Sequence, residues 1–265
     1  MEGDSFIHRL DPRAKIIITI LYIVAIFLAK SVSAFALLLI AAVVSVIMTG
    51  LSFRMVLRSM RPILFIVLFT AIINIFWMTG DTLLVHFWII KIYLEGIINA
   101  LLIVLRIILL VTATSVFLTY TTTPLALTDA LESLLSPLKK LHVPVHEFSM
   151  MMTIALRFIP TLIDETQKII NAQTARGADF SSGGIIKRAK ALIPILIPLF
   201  VSAFRRADEL ATAMECRCYT GGEGRTRMNV LHSSAKDWIT VGVIVLLGAA
   251  VVLLNIYFPI YLMAF

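Results

Sequence analysis

Charge is scarce in this chain. Of its 265 residues, 15% are Asp, Glu, Lys or Arg, while 60% are hydrophobic. A soluble domain of that length has no use for so much apolar surface, because one core and its rim would leave most of it facing water. The fitting solvent is a bilayer. Cysteine is nearly missing: Cys216 and Cys218 stand one residue apart, which excludes a secreted disulfide framework. No run of the form Gly-x-x-x-x-Gly-Lys-Ser/Thr occurs, so the chain has no phosphate cradle of its own. The stretch "GGEGRT" at 221–226 has glycines without the Lys-Ser/Thr pair and reads as a helix stop and turn. The zinc-protease pattern fails as well. "HEFSM" at 146–150 carries Met150 where a second His is needed, and Pro144 separates His142 from His146. No metal site is expected there or at Cys216-x-Cys218. No carboxylate falls at the centre of an apolar run, whereas ion-coupled carriers place titratable groups at depth.

What is present is a series of apolar runs. Residues 16–29 ("IIITILYIVAIFLA") and 34–48 ("AFALLLIAAVVSVIM") are broken only by "KSVS" and predict a tight helical hairpin. The polar N-terminus "MEGDSFIHRLDPRAK" has no signal-peptide pattern, so the first run is expected to stay as an anchor. A basic loop with Arg54, Arg58 and Arg61 follows, and Pro62 suits the first turn of a third span at 62–79. Residues 80–96 are too short and mixed to span; Phe87, Trp88 and Tyr93 suit a membrane interface. A fourth span covers 97–118 and the last 238–258. Asn74 is expected to hydrogen-bond between helices. Arg106, at depth in the fourth span, has three open readings: snorkelling, pairing with a partner, or resting on the cytoplasmic part.

The net charge of +7 follows from loop placement rather than from a nucleic-acid partner, which is not expected. Arg9, Arg13 and Lys15 precede the first span, Arg54 to Arg61 follow the second, and 119–236 holds 14 of the 23 Lys and Arg. All fall on the cytoplasmic side if the N-terminus is cytoplasmic and the C-terminus, with no Lys or Arg after Lys236, is extracellular. The expected fold is an all-α polytopic membrane protein with about five transmembrane helices and a cytoplasmic module of long crossing helices. Its parts are 1–122, the module 123–236, and a last span in 237–265.

The module reads as three helical pieces, 124–141, 146–176 and 184–220. In the second, Ile154, Phe158, Leu162, Ile169 and Ile170 form an amphipathic stripe. The third carries Pro194 and Pro198 and is expected to be long and kinked. Ala203, Ala207 and Ala211 recur every four residues, facing Ala172 and Ala175 as a possible close crossing. Alanine is also simply a good helix former, and the pattern leaves both readings open. The second and third pieces both end on an arginine, at Ala175-Arg176-Gly177 and Cys216-Arg217-Cys218, with Gly221 and Gly222 beyond the latter. Capping explains a basic residue at a helix end, worth about 0.3–1 kcal/mol, and a glycine just beyond it.

Four motifs in order, "HRLDPRAK" (8–15), "ALRFIP" (155–160), "TARGADF" (174–180) and "AMECRCYTGGEGRTR" (213–227), resemble the transmembrane coupling component of energy-coupling factor transporters, the EcfT family. The resemblance covers essentially the whole chain. It implies an energising module with two ABC-type ATPase subunits, which hold ATP and Mg, while this chain binds no cofactor and is no enzyme. It implies a further partner, a membrane S-component that captures a vitamin or metal ion. It also implies that Ala175, Arg176 and Gly177 dock on one ATPase and Cys216, Arg217 and Cys218 on the other. The second motif keeps only the arginine of the Ala-Arg-Gly pattern. An arginine fork suits such a clamp, since it binds a carboxylate bidentately and keeps its charge when partly buried. A stand-alone secondary transporter, which predicts internal symmetry and ionisable groups at depth, and a membrane enzyme, which predicts a catalytic constellation, are the competing readings.

Overall fold

In the computed structural model the chain is described at residues 5–77, 83–87, 90–141, 143–178, 180, 184–221 and 231–257. His142, Trp88, Asp179 and Gly222, and with them most of "GGEGRT", lie outside the described residues. The helices are α1 (Pro12–Leu28), α2 (Val32–Thr49), α3 (Phe53–Trp77), α4 (Leu94–Thr114), α5 (Pro124–Leu135), α6 (Val145–Ala175), α7 (Ile185–Cys216) and α8 (Ala235–Tyr257). A π turn, Ser115–Thr119, continues α4, and a 3-10 turn, Ser136–Leu141, continues α5. The chain divides into two compact units, residues 1–127 with 231–265, and residues 128–230.

The first unit is a bundle of membrane-length helices. Among the described residues, four helical segments are long and apolar enough to cross a bilayer: Val32–Thr49, Arg54–Phe76, Leu94–Thr119 and Ala235–Tyr257. The expected first span, α1, is not among these four: it has 17 residues, a rise of roughly 25 Å, at the short end for a span. It sits at the centre of the bundle, with Ile18, Tyr22, Ala25 and Ile26 packed against Phe35, Leu38 and Ala42 of α2, Leu109 of α4 and Val251 of α8. The Tyr22 hydroxyl donates to the Leu38 carbonyl at 2.7 Å. Large apolar side chains such as Phe65 and Leu246 face outward, where lipid replaces water as their solvent.

The "KSVS" break is two caps back to back. Ala29 closes α1, and Ser31 opens α2 by accepting from the Ala34 amide at 3.3 Å. Gly50 then ends α2 at φ 67°. The third span begins earlier than its sequence suggested. Arg54, Arg58 and Arg61 lie on α3 rather than in a loop, and Pro62 is inside the helix. A proline there removes one bond to the Arg58 carbonyl, a cost that exposure near a membrane surface makes tolerable. Two short strands, β1 (Leu83–Phe87) and β2 (Ile90–Tyr93), pair antiparallel, with His86 opposite Lys91 and Phe87 opposite Ile90. Their Leu, Val, Phe, Ile and Tyr content favours strand, a signal hidden by their shortness.

One sequence expectation changes in this unit, and one open reading closes. Asn74 donates to the Thr70 carbonyl of its own helix at 2.9 Å, not across helices. The helices meet there instead through Gly96, where a Cβ would stand 3.4 Å from the Ile75 carbonyl oxygen. Arg106 finds a partner inside the bundle: its Nη2 donates to the Ala29 carbonyl at 3.1 Å, and its guanidinium lies 5.5 Å from the centre of the Phe35 ring. The cation thus caps the C-terminal end of α1.

The second unit is built on α6 and α7, 31 and 32 residues long, about 47 Å each. On α6 the predicted stripe of Ile154, Phe158, Leu162, Ile169 and Ile170 is half-buried. The inner stripe of α7 is Ala191, Ile195, Leu199, Ser202, Arg206 and Leu210. The alanine face is not the crossing face, because Ala207, Ala211, Ala172 and Ala175 are exposed and only Ala203 is half-buried.

Candidate functional site

Polar side chains, not alanines, pin the two long helices together. Glu165 of α6 accepts from the Ser202 hydroxyl and from Arg206 Nη2, the latter at 2.9 Å. The Ser202 bond first, then Arg206, holds the Glu165 carboxyl below its ordinary value. Further along, Gln173 Nε2 donates to the Pro194 carbonyl at 3.5 Å. That carbonyl needs a donor from outside its helix, because Pro198, four residues on, has no N–H to offer. The same side chains define direction. Passing from Glu165 to Gln173 on α6 means passing back from Arg206 to Pro194 on α7, so the helices cross in opposite senses.

Their C-terminal ends are two copies of one turn. At the end of α6, the Gly177 amide donates to the Thr174 carbonyl at 2.9 Å and the Ala178 amide to the Gln173 carbonyl at 3.0 Å. At the end of α7, the Cys218 amide donates to Glu215 at 2.9 Å and the Tyr219 amide to Met214 at 3.0 Å. Both are Schellman caps, which satisfy the last carbonyls of a helix through a left-handed residue. Gly177 holds that residue's place at φ 87° and Cys218 at φ 55°. Arg176 and Arg217 are the residues just before it, at φ −86° and −94°.

The structure therefore places the six predicted site residues in two equivalent sets. Ala175, Arg176 and Gly177 form one, Cys216, Arg217 and Cys218 the other, and all six are exposed. It does not bring the sets together. Each arginine stands 11 residues beyond the Glu165–Arg206 pair along its own helix. Because the helices run in opposite senses, the two arginines lie on opposite sides of the crossing, roughly 33 Å apart if the axes were strictly antiparallel. The arrangement offers two separate cationic points, each on a rigid helix end, joined by one polar pivot. The pivot residues were missed from sequence; polar residues on an otherwise packed stripe were the available signal. In the adjoining part of the unit, His146 Nδ1 lies 3.0 Å from Glu132 Oε1 and ties α6 to α5.

Comparison with known proteins matches this sequence to an established group. The family described as cobalt transport protein, CbiQ, matches residues 3–230. The energy-coupling factor transporter transmembrane protein EcfT of Ruminiclostridium cellulolyticum is 52% identical over 256 residues, 97% of this chain and 95% of that protein. The proteins of the same name from Clostridium kluyveri and Bacillus subtilis are 51% and 46% identical, over 89% and 93% of this chain and 88% and 93% of theirs. With helices suited to a bilayer and matches over most of its length, the chain belongs to the CbiQ/EcfT family of energy-coupling factor transporter transmembrane components.

Proposed function

We propose that this chain is the mechanical link of an energy-coupling factor importer. Arg176 and its neighbours dock on one ABC-type ATPase and Arg217 and its neighbours on a second. A substrate-capturing S-component sits on the membrane side. The chain catalyses nothing and holds no cofactor; ATP and Mg belong to the ATPases. The observation that carries this reading is the pair of matching arginine-bearing caps, set on opposite sides of one crossing. Two docking points on a shared pivot suit two similar partners that move relative to each other. When the ATPases close on ATP, the helix ends shift and the crossing at Glu165 and Arg206 carries the shift to the S-component. The cargo is a vitamin or a trace metal ion chosen by the S-component; the cobalt in the family's description supports the metal arm.

In this reading residues 123–236 form the cytoplasmic coupling module between membrane parts 1–122 and 237–265, with the N-terminus in the cytoplasm and the C-terminus outside. The clustering of Lys and Arg supports that orientation. The test is purification in mild detergent with the native partners. Two ATPases are expected to co-purify, and Arg176→Glu with Arg217→Glu is expected to release both while the protein stays folded. Retention of both ATPases by the double variant sinks the docking model, and transport by the isolated chain returns the secondary-transporter reading.

A further inference from the structure

Beside the seam of α3 and α4 runs a groove of about 480 Å³. Its walls are apolar along most of their length, with Leu64 and Val67 from α3 facing Val104 and Ile108 from α4. At one end it opens between Arg54, Arg58 and Arg61. These arginines are spaced by four and three residues, so they share one face of α3. All three are exposed, and none makes an ion pair or side-chain hydrogen bond to another described residue. From Arg54 to Val67 the helix rises roughly 20 Å, comparable with the ~15 Å that one leaflet contributes to a hydrocarbon core.

We infer that this groove binds one anionic phospholipid, with its phosphate between the three arginines and an acyl chain along Leu64, Val67, Val104 and Ile108. Both halves of the ligand are specified. The apolar walls select a chain over water or a free phosphate. The arginine mouth selects a negative headgroup, since a guanidinium binds phosphate through a planar fork and basic pockets between transmembrane helices favour anionic lipids. A diffuse basic belt at the membrane surface explains the arginines alone. It does not explain an apolar groove that begins between them. The α3–α4 seam is held independently of the groove, by Gly96 at one end and by Ser59–Ser115 and Tyr120–Met55 hydrogen bonds at the other. A lipid therefore fills a preformed space.

The experiment is native mass spectrometry of the full chain in complex with its ATPases, taken from nanodiscs of phosphatidylglycerol diluted in phosphatidylcholine. One phosphatidylglycerol is expected to remain bound. Arg54→Gln with Arg58→Gln and Arg61→Gln is expected to lower its retention at least about tenfold. Val104→Phe, which fills the groove and leaves every charge in place, is expected to lower it too. Retention unaffected by Val104→Phe would mean a surface-charge effect and overturn the site, as would equal retention of phosphatidylcholine. A photo-crosslinker at Leu64 is expected to label lipid; labelling of a partner helix instead also overturns it. Continued ATPase co-purification separates loss of the lipid from loss of the fold.

Discussion

Gly177 and Cys218 occupy the same place in two helix ends, at φ 87° and 55°, and each donates its amide to the carbonyl three residues back. A left-handed residue without a Cβ is nearly strain-free, whereas one with a Cβ costs about 1 kcal/mol or somewhat more. The motif that departs from glycine in sequence thus keeps the glycine conformation, and bears strain to do so. Cys218→Gly is expected to tighten the α7 end, and Gly177→Ala to loosen the α6 end by about 1 kcal/mol. Among the described residues nothing stands within 4 Å of a Cβ built on Gly177, so the expected cost is in the backbone. Hydrogen exchange at the amides of Ala178 and Tyr219 reads both: faster at Ala178 in the first variant's counterpart Gly177→Ala, slower at Tyr219 in Cys218→Gly.

The Glu165–Arg206 pivot has a pH signature. Hydrogen bonding from Ser202 and the charge of Arg206 hold the folded-state Glu165 carboxyl below its ordinary value. A carboxyl lowered on folding stabilises at pH values above its unfolded value, and that contribution fades as pH falls through the lowered one. The melting temperature of wild type is therefore expected to exceed that of Glu165→Gln by a constant margin above pH 5. The margin is expected to shrink below about pH 4. A margin that stays constant into acid means Glu165 is not the group that pins the crossing.

The helices and both arginine ends were readable in sequence because their signals are local. Apolar runs, 3.6-residue periodicity and an arginine followed by a cap residue need no knowledge of distant contacts. What escaped depends on partners far along the chain. Arg106 stood out as a charge at depth, but its hydrogen-bond acceptor is the Ala29 carbonyl, a backbone group that no residue pattern marks. The alanine spacing suggested a crossing face, yet the crossing turned to the face carrying Glu165, Ser202 and Arg206, where hydrogen bonds outweigh close backbone approach. Pro62 looked like a helix start because prolines often are; only the neighbouring arginine-bearing turn, itself helical, shows otherwise.

The "HRLDPRAK" motif acts as a latch. Asp11 caps α1 by accepting from the Arg13 amide at 2.9 Å, and its own amide donates to Asp237 Oδ1 at 2.9 Å. Asp237 Oδ2 accepts from the Ser234 amide at 2.6 Å, half of a capping box at the start of α8. Lys15 Nζ completes the latch, donating to the carbonyls of His8 at 3.1 Å and Thr121 at 2.8 Å. Asp237→Ala strands two amides, one of them buried, and is expected to cost about 1–3 kcal/mol. Asp237→Asn keeps an acceptor and is expected to lose less. Thermal unfolding in detergent, compared across the two variants, checks the order.

Asn255 of α8 performs a double capping task on the α1–α2 hairpin. Its Oδ1 accepts from the amides of Lys30 and Ser31 and from the Ser31 hydroxyl, each at 3.1 Å, while its Nδ2 donates to the Leu28 carbonyl at 2.7 Å. One side chain thereby serves the last carbonyl of α1 and the two amides just ahead of α2, groups that cost free energy when left unpaired away from water. Asn255→Leu matches the size and removes every one of these bonds; a loss of about 2–3 kcal/mol is expected. Asn255→Asp separates the two halves of the task, because it keeps the acceptor for α2 and turns the donor toward Leu28 into a repulsive oxygen. If the hairpin depends on the α1 carbonyl, the Asp variant unfolds at nearly the temperature of the Leu variant. If it depends on the α2 amides, the Asp variant unfolds close to wild type.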